Sequence, residues 1–258
     1  VMHNMRYVIT IIVIIQSFAS FAQKEVNFDD FLNLFPGKKI DSVYQVKFLE
    51  QGYFPQYQTL GAVRIKDRTH SYISLIIQSD CFAGGMCESQ ELYTFSNDGN
   101  LIDQYEIQRE KADCSFSSKK LSEFFDSLFY TVTIEEEGDC SIDLITKRKI
   151  SIEEIEITQD GEIEVKSQRI IPSNRNHPNL SYQRLEAGKL NQLDEDKLAE
   201  MRNEIFASYG YDFKTARWKN FFEAFSWYQP SKQSVSKDEL NLIEQYNLEL
   251  IVSEENTR

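Results

Sequence analysis

Across residues 171–188 the chain loses any apolar period, carrying Pro172, Pro178 and several Asn and Ser residues, and the periods on its two sides differ. Upstream, apolar residues mostly alternate; downstream they recur every third or fourth position. A period of two belongs to strands and one of 3.6 to helices, so one uniform architecture is excluded. The reading is an α+β chain. A strand-rich N-terminal domain with antiparallel hairpins and one or two helices covers residues 23–170, a linker covers 171–188, and a small all-α three-helix domain covers 189–258.

Asn27 precedes Phe28, Phe31, Leu32 and Phe35, a helical spacing closed by Pro36-Gly37 that predicts a short opening helix. Alternation then predicts strands at residues 43–48, 61–66, 72–78, 91–95 and 130–135. Asp98-Gly99 sits between the runs 91–95 and 101–107, and Asp160-Gly161 between 150–158 and 162–165. Asp-Gly supplies the positive backbone angles of tight turns, so both read as hairpins. Leu121, Phe124, Phe125, Leu128 and Phe129 follow Ser117-Ser118-Lys119-Lys120 at helical spacing and predict one amphipathic helix among the strands. Asp113-Cys114-Ser115 recurs as Asp139-Cys140-Ser141, but the flanking residues do not repeat, which speaks against an internal repeat.

Met5 and Arg6 lead into the apolar run 7–15, followed by Ser20-Phe21-Ala22-Gln23. A basic start, a short greasy core and small residues predict a secretory signal peptide over residues 1–22, cut after Ala22. A membrane-spanning helix needs about 20 apolar residues, and no later segment approaches that, so the expected location is the periplasm or the cell exterior. No Cys follows Ala22, so lipid attachment there is not supported. In an oxidising compartment Cys81, Cys87, Cys114 and Cys140 are expected as disulfides. Cys81 with Cys87 and Cys114 with Cys140 are favoured, although four cysteines allow three pairings. A net charge of -13 repels phosphate backbones and sets nucleic acid aside. Basic proteins, cations and neutral glycans stay open.

Past residue 188, Asp194 caps a helix with Leu198, Met201 and Ile205 on one face, and Trp218, Phe221, Phe222 and Phe225 mark a second. The capping box Ser236-Lys237-Asp238-Glu239 predicts a third, with Leu240, Ile243 and Leu250 inward. The unit carries Met201-Arg202-Asn203-Glu204-Ile205-Phe206-Ala207-Ser208-Tyr209-Gly210-Tyr211-Asp212-Phe213, then Trp227-Tyr228-Gln229-Pro230, then Glu244 and Asn247. In these residues it resembles the YARHG domain, a short helical module of exported bacterial proteins. The resemblance implies a binding or assembly module, with cell-wall binding or an enzymatic role suggested for the family. Phe206, Ser208 and Tyr209 stand where the family has Tyr, Arg and His, so a role resting on that Arg and His is in doubt here.

Gly210 is expected as a helix cap with positive φ, and Arg202 is placed to reach Glu244 on the third helix. Most of the aromatic residues are read as core, with Arg202, Tyr209, Trp227 and Tyr228 as candidate ligand contacts and the Trp227-Tyr228 pair as a stacking surface for a sugar. No catalytic, cofactor-binding or metal-binding residue is assigned. Only His70 and His177 lie beyond the leader, His177 within the linker, and there is no G-x-S-x-G, H-E-x-x-H or P-loop. The acidic runs 135–139 and 153–154 read as solvated faces. The expected function is that of a non-enzymatic envelope protein that binds a cell-wall glycan or an envelope protein. The alternatives are a cell-wall hydrolase and an acidic periplasmic inhibitor of a basic enzyme.

Overall fold

The computed structural model describes residues 26–35, 37–49, 57–61, 71–80, 87–113, 115–125, 128–139 and 144–258. The expected signal peptide, Cys81, Cys114, Cys140 and the side chain of Cys87 lie outside the described residues, and so do residues 62–66 of one expected strand. Among the described residues no helix is long and apolar enough to cross a membrane.

Among the described residues two short helices come first, α1 (Phe28–Leu32) and α2 (Ser42–Phe48). The Asn27 side chain accepts from the Asp29 amide at 2.8 Å and caps α1. Strands β1 (Tyr57–Gly61), β2 (Tyr72–Asp80), β3 (Cys87–Ser96), β4 (Leu101–Ala112), β5 (Phe116–Phe125), β6 (Leu128–Asp139), β7 (Leu144–Ile157) and β8 (Ile163–Ile171) form one antiparallel sheet in sequence order. Beyond it come a 3-10 turn (Pro178–Ser181), α3 (Ala187–Leu190), α4 (Glu195–Ala207), α5 (Ala216–Glu223), a second 3-10 turn (Lys237–Glu239) and α6 (Leu242–Glu255). The α+β class with a helical C-terminal region is therefore the observed one.

Two expectations are corrected. Residues 43–48 form α2 rather than a strand: Tyr44 and Phe48, four apart, bury together against Phe31 and Phe28, while Val43 and Val46 stay exposed. Tyr44, Val46 and Phe48 fit a period of two as well, and packing against α1 decides between the periods. The expected amphipathic helix at residues 121–129 is instead the end of β5 and the start of β6, with Phe124 opposite Phe129 and Phe125 opposite Leu128. A tight hairpin returns its apolar residues at offsets of three to five, the spacing a helix face would show.

Both Asp-Gly hairpins form, with φ of +84° at Gly99 and +90° at Gly161. The β7–β8 turn reaches back over the sheet: Thr94 Oγ1 donates to the Gly161 carbonyl at 2.6 Å, and the Ile163 amide donates to Asp103 at 2.9 Å. Leu92, Ile107, Phe129, Ile155 and Ile157 fill the interior of this curl. Leu75, Ile77, Tyr93 and Phe95 take α1 and α2. Strand β7 changes its apolar face midway: Ile150 and Ile152 join Tyr130, Val132 and Ile243 of α6, whereas Ile155 and Ile157 point into the curl.

The acidic run at residues 135–137 lies on β6, where cations of β7 stand across from it. Lys149, Arg148 and Lys147 meet Glu135, Glu136 and Glu137 at 3.6, 2.5 and 3.1 Å. These exposed pairs contribute little individually, but they neutralise the run locally.

Candidate functional site

Helix α4 is positioned by Asp194, whose carboxylate accepts from the Lys197 amide at 2.7 Å, and by acidic residues in its first turn that complement the helix dipole. It ends at Gly210 with φ of +80°. A Cβ there would lie 2.6 Å from Ser231 Oγ and 2.9 Å from the Gln229 carbonyl, so the position admits only glycine without strain. Helix α6 starts from the capping box of Asn241 and Glu244, one turn after the box of Ser236 and Glu239, which encloses only a 3-10 turn. Leu198, Met201, Ile205, Leu240 and Ile251 pack between α4 and α6.

Inside that packing lies a continuous polar network. Glu244 is fully buried; its Oε1 accepts from Arg169 Nη2 and Ser181 Oγ, both at 2.5 Å, and its Oε2 accepts from the Tyr209 hydroxyl. Arg175, fully buried as a side chain, donates from Nη1 to Ser181 Oγ at 2.9 Å and from Nε to Glu204 Oε1 at 3.0 Å. Burial pushes the Arg175 pKa down, while Glu204 pulls it back up. Asn247 accepts from the Leu185 amide and donates to the carbonyls of Leu180 and Gln183. Buried charges require such partners. The stretch read as linker thus contributes Arg175, Leu180 and Ser181 to a buried interior.

The expected contact residues have separate fates. Arg202 does not reach Glu244; it pairs with Glu255 near the end of α6 at 2.5 Å, because Arg169 and Ser181 already hold the Glu244 carboxylate. Tyr209 lies under the Arg169 guanidinium at 4.3 Å, and burial, then Glu244, drives its pKa well above the ordinary phenol range. Tyr228 is buried and donates to the Tyr211 carbonyl at 2.7 Å. Trp227 is partly exposed, packing on Phe222 and Phe225.

A groove of about 500 Å³ runs between the start of α4 and α5. Trp218 and Phe221 line it opposite Asp194, Lys197 and Glu200. Glu200, which lines this groove, also gathers with Glu204 and His177, one ligand atom from each lying within 4.8 Å of the others. Glu200 and Glu204 share a face of α4 by their four-residue spacing. His177 is brought there because its own amide donates to Glu204 Oε1 at 2.8 Å. Its Nε2 is buried 3.5 Å from Glu200 Oε1 and, among the described residues, makes no hydrogen bond. Burial lowers the His177 pKa, against the pull of Glu204. Burial alone would raise Glu200, but hydrogen bonds from Asn176 and Lys197 outweigh it and hold the carboxyl below its usual range. His177 in the supposed linker concealed this convergence from sequence reasoning. The Glu200 and Glu204 spacing was the available signal.

Neither the curated proteins nor the solved structures contain a match to the chain. The family model described as the YARHG domain does match, over residues 175–256, a stretch that begins at the buried Arg175 and takes in Glu204, Glu244 and Asn247.

Proposed function

We propose that the chain is an exported envelope protein whose C-terminal unit is a binding or assembly module rather than an enzyme, with cell-wall glycan as its ligand class. The YARHG match fits an extracellular or envelope protein. One observation carries the non-enzymatic part: the polar residues of the matched motif are turned inward on one another. Glu204, Glu244 and Asn247 are buried and bonded to Arg175, Arg169, Ser181 and backbone groups. A glycoside hydrolase needs a carboxylic acid of raised pKa facing its substrate. Among the described residues the carboxyls that shift, Asp113, Glu200 and Glu239, all move down.

Contact falls to the groove, where Trp218, with the Arg217 guanidinium over its ring, and Phe221 stand with Asp194, Lys197 and Glu200, a mix of aromatic and hydrogen-bonding groups suited to a sugar ring with its hydroxyls. Trp227 and the buried Tyr228 belong to the same aromatic cluster as Trp218 and Phe221, whereas Tyr209 sits in the Glu244 network instead. An inhibitor acting through an acidic face gains less support, since the run at residues 135–137 is paired with β7 cations. The test is pelleting of the full chain with purified peptidoglycan at low and moderate salt. Salt-resistant pelleting without released fragments, weakened in Trp218→Ala, is the expected result. Released fragments would move the assignment to a hydrolase, and absence of pelleting would remove the wall ligand.

A further inference from the structure

We propose that His177, Glu200 and Glu204 form a binding site for a divalent transition-metal cation of the zinc class. The donor set is one imidazole nitrogen and two carboxylates, with the chosen atoms within 4.8 Å of one another. Around a four-coordinate zinc ion, with bonds near 2 Å, donor atoms stand about 3.3 Å apart, so small side-chain rotations close the set. His177 Nε2 is the independent pointer. It is buried, makes no hydrogen bond among the described residues, and faces Glu200 Oε1 at 3.5 Å. In the imidazole tautomer protonated at Nδ1 this nitrogen offers its lone pair to a cation.

The surroundings fit a partly closed site. Arg175 and the His177 amide both engage Oε1 of Glu204, which leaves Oε2 for a cation. Asn176 donates to Glu200 Oε1 at 2.7 Å and orients that carboxylate, the kind of outer support metal ligands receive. Lys197 holds both Glu200 oxygens at 3.2 Å and is the native competitor, yet its side chain is more than a third exposed and can swing into solvent. Glu200 and Lys197 line the groove, which exposes the Glu200 side of the site. Nitrogen in the donor set favours zinc over calcium or magnesium, which take oxygen ligands. The assignment does not depend on what the groove binds.

The experiment is thermal unfolding of the full chain, stripped with chelator and kept oxidised, with ZnCl₂, CaCl₂ or MgCl₂ at neutral pH. Zinc should raise the midpoint in a concentration-dependent way and the other two should not. His177→Ala and Glu200→Gln should abolish the rise, Asn176→Ala should weaken binding roughly tenfold, and Lys197→Ala should tighten it several-fold. His70→Gln should leave the response intact. No rise in the native chain, or an equal rise in His177→Ala, overturns the proposal. If His177→Ala fails to fold, the exposed Lys197→Ala decides: binding no tighter than native refutes the site. Absorption of the Co²⁺-loaded native chain, lost in Glu200→Gln, gives a readout independent of stability.

Discussion

Arg169 on the last strand of the sheet donates to Glu244 at the start of the last helix at 2.5 Å, with the Tyr209 ring 4.3 Å from its guanidinium carbon. Sheet and helical region are thus joined by a charge pair whose acidic member is fully buried. Glu244→Ala strands Arg169 and Ser181 without their acceptor, and removing one partner of a buried pair costs about 3–5 kcal/mol. Urea unfolding should register that loss; a change below about 1 kcal/mol would mean the network has no structural weight.

Gly210 makes a second, purely local prediction. Gly210→Ala has to hold φ near +80° and push against Ser231 Oγ and the Gln229 carbonyl. Destabilisation of about 1–2 kcal/mol is expected, with Gly188→Ala, where an added Cβ meets nothing within 4 Å, as the near-neutral control. Equal midpoints for the two variants would contradict the cap assignment.

Alkaline stability follows from two phenols. Burial raises the Tyr105 pKa, helped by Glu153, whose carboxylate accepts from its hydroxyl at 2.6 Å; burial raises Tyr209, helped by Glu244. A pKa raised in the folded state stabilises fully below the unfolded value of about 10 and loses that contribution as pH rises through the folded value. Absorbance at 295 nm should therefore show a fraction of the tyrosines, Tyr105 and Tyr209 among them, ionising only as circular dichroism reports unfolding. Ionisation of every tyrosine in one step before unfolding would refute this.

Disulfides are the fourth prediction. The β2–β3 register pairs Asp80 with Glu88, and the Gly138 amide donates to the Ser115 carbonyl at 2.9 Å where β5 and β6 diverge. Each pairing adjoins one of the cysteine couples, Cys81 with Cys87 and Cys114 with Cys140. Peptide mapping of the unreduced protein should recover those two links; four free thiols, or crossed links, would refute them.

The hairpins were legible because Asp-Gly at residues 98–99 and 160–161 has few other uses, and α4 because Asp194 and its apolar stripe agree. Periodicity misled at residues 43–48, where six positions fit both periods and the partner surface decides, and at 121–129, where the reversal from β5 to β6 returns apolar residues at helical offsets. The polar network was harder still. Glu204 and Glu244 stood out by resemblance, but Arg169 and Arg175 come from the strand and loop before the helices, and no local pattern announces a partner 75 residues away.

Strand β7 serves two interiors, Ile150 and Ile152 facing α6 while Ile155 and Ile157 face the curl. During synthesis the sheet can close its own curl as soon as β8 emerges, yet the cluster of Tyr130, Val132, Ile150 and Ile152 stays incomplete until Leu242 and Ile243 of α6 arrive. A ribosome- or translocon-bound intermediate truncated before α6 would expose an apolar strip on a nearly finished sheet, the surface a holdase chaperone grips.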